Sequence, residues 1–356
     1  MKIVVFTGAG AGRADGIPLQ TELFEQFFSR VPANARRAQL VTTVADFFSR
    51  AFEIDARTAR GHTLPTFEEA LGILDLAIAR EETILSIGDG ATGISALRSA
   101  RRELILSLAA TIGHEPSIGG TVHAQLVKAL RTNGLLDDIT FVTANYDTLI
   151  DEAIDAEAVE ADRGTGTLID YGINELAGGD QDPHRDMRSF PCFKIHGSLN
   201  WLYCPACDLL DITFASNGAI RLVDEPDGAR CYECETLRTP IIVPPSYYKN
   251  MSNVYLGVVW TKAYQAIRQA DQIVFCGYSF PDADMHVRYL VKRAQLNRDA
   301  QSHPLQILLV NHYPSKNTGV AVSERERFTR FLGQNVVDTG KSFEDFARAP
   351  REVLSL

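Results

Sequence analysis

Ile3-Val4-Val5-Phe6-Thr7-Gly8-Ala9-Gly10-Ala11-Gly12 is a short apolar run that stops at a glycine-rich turn. The run reads as a buried strand, since β-branched side chains pack well on a pleated surface. Glycines after such a strand let the backbone approach a pyrophosphate, and a following helix N-terminus favours its charge. The same residues also suit an ordinary tight strand-to-helix turn, so the turn alone leaves both readings open. Asp15-Gly16-Ile17-Pro18 comes next, and Pro18 argues against a long uninterrupted helix here. The usual dinucleotide fingerprint has an immediate helix and an acid about 20 residues on, and it fits poorly.

Working outward, similar runs stand at Ile139–Thr143, Cys192–Ile195, Ile241–Val243, Gln272–Cys276 and Gln306–Val310, with a weaker one at Asn335–Asp338. Most end in Gly, Asn, His or Pro. Such runs predict strands buried on both faces, as in a parallel sheet covered by helices. Between the first two strands the apolar spacing turns helical: Leu23, Phe24, Phe27 and Phe28; then Leu71, Leu74 and Ile78; then Leu97, Leu104, Ile105, Leu108 and Ile112; then Val122, Leu126 and Leu130. The excursion is too long for one crossover helix and predicts a helical insertion over residues 21–118. Ser86–Ser95 and Glu157–Met187, rich in Gly and Asp, read as loops.

The 356 residues are 45% hydrophobic and 22% charged, a globular composition with enough apolar side chains for a large core. A formal charge of −10 argues against a general nucleic-acid binder, which needs a counterion-releasing basic surface. The apolar runs fall far short of the ~20 residues that span a bilayer. The N-terminus reads as a strand and not as a signal peptide, so the expected location is cytoplasmic.

Several predicted strands end at groups with chemistry. Thr143-Ala144-Asn145-Tyr146-Asp147 places an Asn and an Asp where they would bind ribose hydroxyls or a carboxamide, or else cap a helix over Thr148–Ala156. Lys194-Ile195-His196-Gly197-Ser198 places a histidine that is either a general base or a hydrogen-bonded structural residue. Phe275-Cys276-Gly277-Tyr278-Ser279 and Val310-Asn311 close two more strands. Cys204-Pro-Ala-Cys207 and Cys231-Tyr-Glu-Cys234 carry a stronger message. Two such pairs supply four thiolates for a tetrahedral Zn²⁺, with no open position left, so the metal should be structural.

Taken in order, these pieces resemble the sirtuin family. Gly8 through Pro18 is similar to the sirtuin phosphate loop, Gly-Ala-Gly-x-Ser-x-x-x-Gly-Ile-Pro. Thr143 through Asp147 resembles Thr-Gln-Asn-x-Asp, and His196-Gly197-Ser198 resembles the catalytic His-Gly. Cys204 follows that histidine at the sirtuin spacing, Gly277-Tyr278-Ser279 resembles the Gly-Thr-Ser loop, and Asn311 falls where a late Asn contacts adenosine. Gly12 replaces the usual Ser, and Leu19-Gln20-Thr21 stands in place of Asp-Phe-Arg. Where protein deacylases carry a Phe-Gly-Glu substrate loop, this chain has Ile242-Val243-Pro244-Pro245-Ser246. Two prolines offer no amide hydrogens for pairing an extended peptide. His196–Trp201, Trp260 and Gly277–Asp284 look most like a divergent bacterial branch whose members hydrolyse NAD, often in defence against phage.

The resemblance implies a sirtuin-type, Rossmann-like α/β fold. Its core would take residues 1–20, 119–200 and 238–356, with a four-cysteine zinc module at 201–237. It implies NAD⁺ as substrate, held by Gly8, Ala9, Gly10, Gly16, Ile17, Asn145, Asp147, Gly277, Ser279 and Asn311, with Asn145 and His196 catalytic. The reaction would be cleavage of the nicotinamide–ribose bond by water. The alternatives are an NAD-dependent protein deacylase and a non-catalytic NAD or ADP-ribose sensor. Homo-oligomers and a partner protein such as a defence-associated ATPase are implied, with no membrane and no direct nucleic-acid contact.

Overall fold

Thr7, Thr143, Lys194, Cys276 and Val310 close five neighbouring strands of one parallel sheet, and the pairing register sets them level with one another. The computed structural model describes residues 1–59, 64–82, 93–113, 120–161, 168–173, 189–213, 222–224, 230–243, 253–299, 303–312 and 316–354. Two compact units divide the chain: residues 1–17, 116–196 and 251–356 form one, and 18–115 and 197–250 the other.

The strands in chain order are β1 (Ile3–Thr7), β2 (Ile139–Thr143), β3 (Leu168–Asp170), β4 (Ser189–Lys194), β5 (Gly197–Tyr203), β6 (Leu210–Ile212), β7 (Thr239–Ile242), β8 (Gln272–Cys276), β9 (Gln306–Val310) and β10 (Val336–Asp338). The first unit holds a seven-stranded sheet in the order β10-β9-β8-β1-β2-β4-β3, with every neighbouring pair parallel. β1 and β8 are buried throughout, which is why they read as continuous apolar runs. On one face Leu126, Val127 and Leu130 of α6 (Val122–Thr132), with Ile150 and Ile154 of α7 (Leu149–Ala161), join Ile3, Val5 and Phe141 in the core. An aromatic cluster also packs in this unit: Phe275 lies 5.0 Å from both Phe6 and Phe328, and Phe280 stacks on Phe328 at 4.5 Å. Connections from β1 lead to β2 on one side and eventually to β8 on the other. The sheet therefore has a topological switch point beside β1, where open α/β sheets bind ligands beyond the carboxyl ends of their strands.

The second unit contains α2 (Gln20–Ser29), α3 (Ala35–Phe52), α4 (Phe67–Arg80) and α5 (Ile94–Ile112), with a three-stranded antiparallel sheet in the order β6-β5-β7. The apolar stripes read from the sequence face inward: Leu23, Phe24, Leu71, Leu74, Leu97, Leu104 and Leu108 are all buried. α4 is capped by Thr66, whose hydroxyl accepts from Glu69 N while Glu69 reaches back to Thr66 N, a reciprocal cap. Among the described residues no helix is long and apolar enough to cross a membrane.

Three expectations are corrected. The Ile241–Val243 run is not a strand of the parallel sheet: its Ile241 and Ile242 belong to β7 and pair antiparallel with β5. Short apolar runs do not report strand direction, which long-range pairing decides. Glu157–Met187 is not all loop: α7 continues to Ala161 and Leu168–Asp170 pairs with β4. Ile94 and Ser95, placed in a loop, open α5; residues 83–92 lie outside the described residues.

Candidate active site

Because five strands end level, the residue that follows each one enters the same row: Gly8 after β1, Ala144-Asn145 after β2, Ile195-His196 after β4, Gly277 after β8 and Asn311 after β9. All belong to the first unit. The polar members are buried, with Asn145 9%, Asp147 5%, His196 1% and Asn311 7% exposed. Polar side chains seldom collect inside a protein unless each is bonded.

The glycine turn is built against its neighbour. Gly8 N donates to the Cys276 carbonyl and Gly10 N to the Gly277 carbonyl. A Cβ on Gly8 or Gly10 would stand 2.8 Å from backbone atoms of Tyr278 or Gly277, and one on Gly277, at φ +61°, would stand 2.0 Å from Ala11 N. The glycines thus first serve the approach of two loops at the switch point. α1 (Ala9–Arg13) is a single turn, half-buried at Ala9. The chain then reverses at Gly16, φ +84°, and Ile17 N returns to the Gly12 carbonyl. The break ahead of Pro18 is the one the sequence predicts.

Asn145 Nδ2 donates to the Gly8 carbonyl at 3.0 Å, joining the end of β2 to the glycine turn. Asp147 accepts from Leu149 N at 3.2 Å, so it does cap the start of α7, and its Oδ2 also lies 3.4 Å from where a Cβ on Gly12 would be. Asn311 pairs with the Tyr278 backbone in both directions, accepting from its N at 3.2 Å and donating to its O at 2.7 Å. It holds the Gly277 turn in place. Ser279 is half-buried, and its carbonyl accepts from Arg327.

His196 is oriented by Ala144, whose carbonyl lies 3.2 Å from Nδ1. Its other nitrogen faces Asp284, with Nε2 3.6 Å from Oδ2. Trp260, on α8 (Val254–Gln269), donates to the Ile195 carbonyl at 2.7 Å and so anchors the residue just before His196.

Sequence reasoning missed the support beneath these residues. Lys194 is fully buried at the end of β4; its ammonium meets Asp151 Oδ2 at 2.8 Å and donates to the Asp147 carbonyl. Tyr171 donates to the other Asp151 oxygen at 2.5 Å. Burial alone would drive Lys194 toward its neutral form, but Asp151 beside it overrides this and holds the ammonium above the ordinary lysine range. The signal available was a lone Lys inside an apolar run. Asp284 was missed because Asp ahead of a helix reads as an ordinary cap.

The four cysteines form a separate cluster in the second unit. Their sulfurs all lie within 4.8 Å of one another, with Cys204–Cys234 at 3.4 Å and Cys207–Cys231 at 3.5 Å. Zn–S bonds of about 2.3 Å put tetrahedral sulfurs about 3.8 Å apart, so the group is positioned to bind a metal. The two knuckles share one backbone form. Asp208 N donates to the Cys204 carbonyl and Glu235 N to the Cys231 carbonyl, and these residues have φ of 58° and 59°.

A family model described as a SIR2-like domain matches residues 139–332. A comparison with curated proteins finds no match. Among solved structures, the chain is similar to a Sir2 bound to acetylated peptide, at 14% identity and TM-score 0.42, covering 99% of this chain and 92% of that one. It is similar to a Sir2–p53 peptide–NAD⁺ complex at 16% identity and TM-score 0.40, with coverage of 99% and 92%. A structure of Sir2Tm bound to a propionylated peptide gives the same values for identity, TM-score and coverage.

Proposed function

The chain belongs to the SIR2-like domain family, and on that premise we propose that it is an NAD⁺ hydrolase that splits the nicotinamide–ribose bond to give nicotinamide and ADP-ribose. The observation that carries the proposal is the buried row of Asn145, Asp147 and His196 beside the glycine turn at the switch point. Nicotinamide leaves neutral from a cationic pyridinium. A site has only to orient the ribose, stabilise oxocarbenium character and direct water. In this reading Asp147 holds the carboxamide, Asn145 holds the ribose and positions water, and His196 acts as base. Gly8, Ala9, Gly10, Gly16 and Ile17 receive the pyrophosphate, with Gly277, Ser279 and Asn311 shaping the adenosine side.

Water as acceptor is favoured over acyl-lysine by Pro244 and Pro245, which lie outside the described residues but remove two amide donors whatever their conformation. Zn²⁺ held by Cys204, Cys207, Cys231 and Cys234 would be structural and take no part in the reaction. The resemblance to the defence-associated branch extends the proposal to NAD⁺ depletion during phage infection.

The test is to incubate purified protein with NAD⁺, with and without an acetylated peptide, and measure nicotinamide and ADP-ribose. Release without peptide is expected. Strict dependence on the peptide would establish a deacylase instead, and NAD⁺ binding without release would favour the sensor. In infected cells, NAD⁺ should fall with the wild-type chain and hold with Asn145→Ala.

A further inference from the structure

Asp284 occupies the N-cap of α9 (Met285–Leu296), where a carboxylate ordinarily accepts from first-turn amides. Its side chain makes no such bond. The residue is completely buried, accepts from the Tyr278 hydroxyl at 2.6 Å, and sets Oδ2 3.6 Å from His196 Nε2. A carboxylate withdrawn from the cap it is placed to make, and directed at a buried imidazole, needs a reason.

The histidine supplies one. A carbonyl only accepts, so in the contact with Ala144 the hydrogen sits on His196 Nδ1. The neutral ring then presents a lone pair at Nε2 toward a carboxylate, and two acceptors face one another. The arrangement becomes favourable when a proton arrives at Nε2, because the imidazolium is then paired with a buried opposite charge. We propose that Asp284 is a positioning residue that makes His196 a proton acceptor at Nε2, with Tyr278 holding the carboxylate in place.

This rests on the hydrolase reading, and the step it serves balances. The oxygen of water forms a bond to the anomeric carbon as the carbon–nitrogen bond to nicotinamide breaks. The electron pair of that bond leaves with neutral nicotinamide. The proton of water passes to His196 Nε2 and then to solvent; nothing is oxidised or reduced. The Tyr278 hydroxyl donates to Asp284, and the Tyr146 ring lies beside the imidazole, 6.3 Å between centroids. The nearby Lys194 is committed to Asp151.

Selectively ¹⁵N-histidine-labelled full-length protein tests the pairing by NMR, with the His196 signal identified by its loss in His196→Asn. In Asp284→Asn the signal should titrate about one pH unit or more lower than in wild type, because the compensating charge is gone. In Tyr278→Phe it should titrate higher, because the carboxylate loses a donor. An unchanged midpoint in Asp284→Asn overturns the proposal. Should that variant fail to fold, an unchanged or lowered midpoint in Tyr278→Phe overturns it. In parallel, Asp284→Asn should lower kcat for nicotinamide release roughly tenfold or more with KM nearly constant, and Asp284→Glu should restore part of it. Wild-type kcat in a folded Asp284→Asn also overturns the proposal. If wild type releases no nicotinamide while the NMR midpoints shift as expected, the hydrolase reading falls and the pairing stands.

Discussion

At the scale of single residues, Asn145 does two things that can be separated. Its amide ties β2 to the Gly8 carbonyl, and in the proposed reaction it holds ribose and water. Asn145→Ala should cost about 1 kcal/mol of stability for the lost bond, yet ~10²-fold or more in nicotinamide release per folded molecule. Turnover and thermal melting measured on the same preparation distinguish these. A variant that melts early but keeps its activity would mark Asn145 as structural only. Lys194 is the converse case. Lys194→Met strands the Asp151 carboxylate in the core and should destabilise by roughly 3–5 kcal/mol in denaturant titration. The folded lysine binds its proton more tightly than an unfolded one. Its contribution is therefore complete below the unfolded value of about 10.4 and lost as pH rises through the higher folded value.

At the scale of elements, the site depends on two turns that meet. Gly277→Ala forces a Cβ to within 2.0 Å of Ala11 N at positive φ, and should cost roughly 2–4 kcal/mol and weaken NAD⁺ binding by calorimetry. Asp15 joins the same loop to α6: its carboxylate accepts from Val122 N at 2.6 Å and meets His123 Nδ1 at 2.6 Å. Burial would raise its pKa, but the hydrogen bond and charge of His123, with two backbone amides, hold it below the usual carboxylate range. That stability is present above the unfolded value of about 3.9 and is lost as pH falls through the lower folded one. Asp15→Ala should lower the melting temperature at pH 7 and flatten the acid limb of stability against pH. In the cysteine module, Glu235 accepts a left-handed backbone without being glycine. Glu235→Gly should therefore stabilise by up to roughly 1 kcal/mol, read from the denaturant midpoint.

At the scale of the whole molecule, the strongest expectation is one Zn²⁺ per chain. Metal analysis of purified protein should find it, and Cys204→Ser should lower the melting temperature and solubility more than it changes activity per folded molecule. A metal-free preparation with full stability would reject the site. Zinc-coupled folding also predicts that a chelator lowers the melting temperature of wild type and leaves that of Cys204→Ser nearly unmoved.

The amino-acid sequence by itself determined the buried strands, the helical stripes and the cysteine pairs. Each rests on local chemistry: β-branched runs, 3.6-residue spacing, and two thiols a turn apart. It also marked Asn145 and His196, because polar residues that end apolar runs are conspicuous. Only the tertiary structure decided how those ends relate. The register that sets level the strand ends just before Gly8, Asn145, His196, Gly277 and Asn311 comes from hydrogen bonds between strands far apart in the chain. The antiparallel place of β7 was hidden for the same reason. So were the partners of His196 and Lys194. Asp284 lies 88 positions beyond His196 and Asp151 lies 43 before Lys194, and no local pattern ties them, since a buried charge finds its counter-charge through the packing of separate elements.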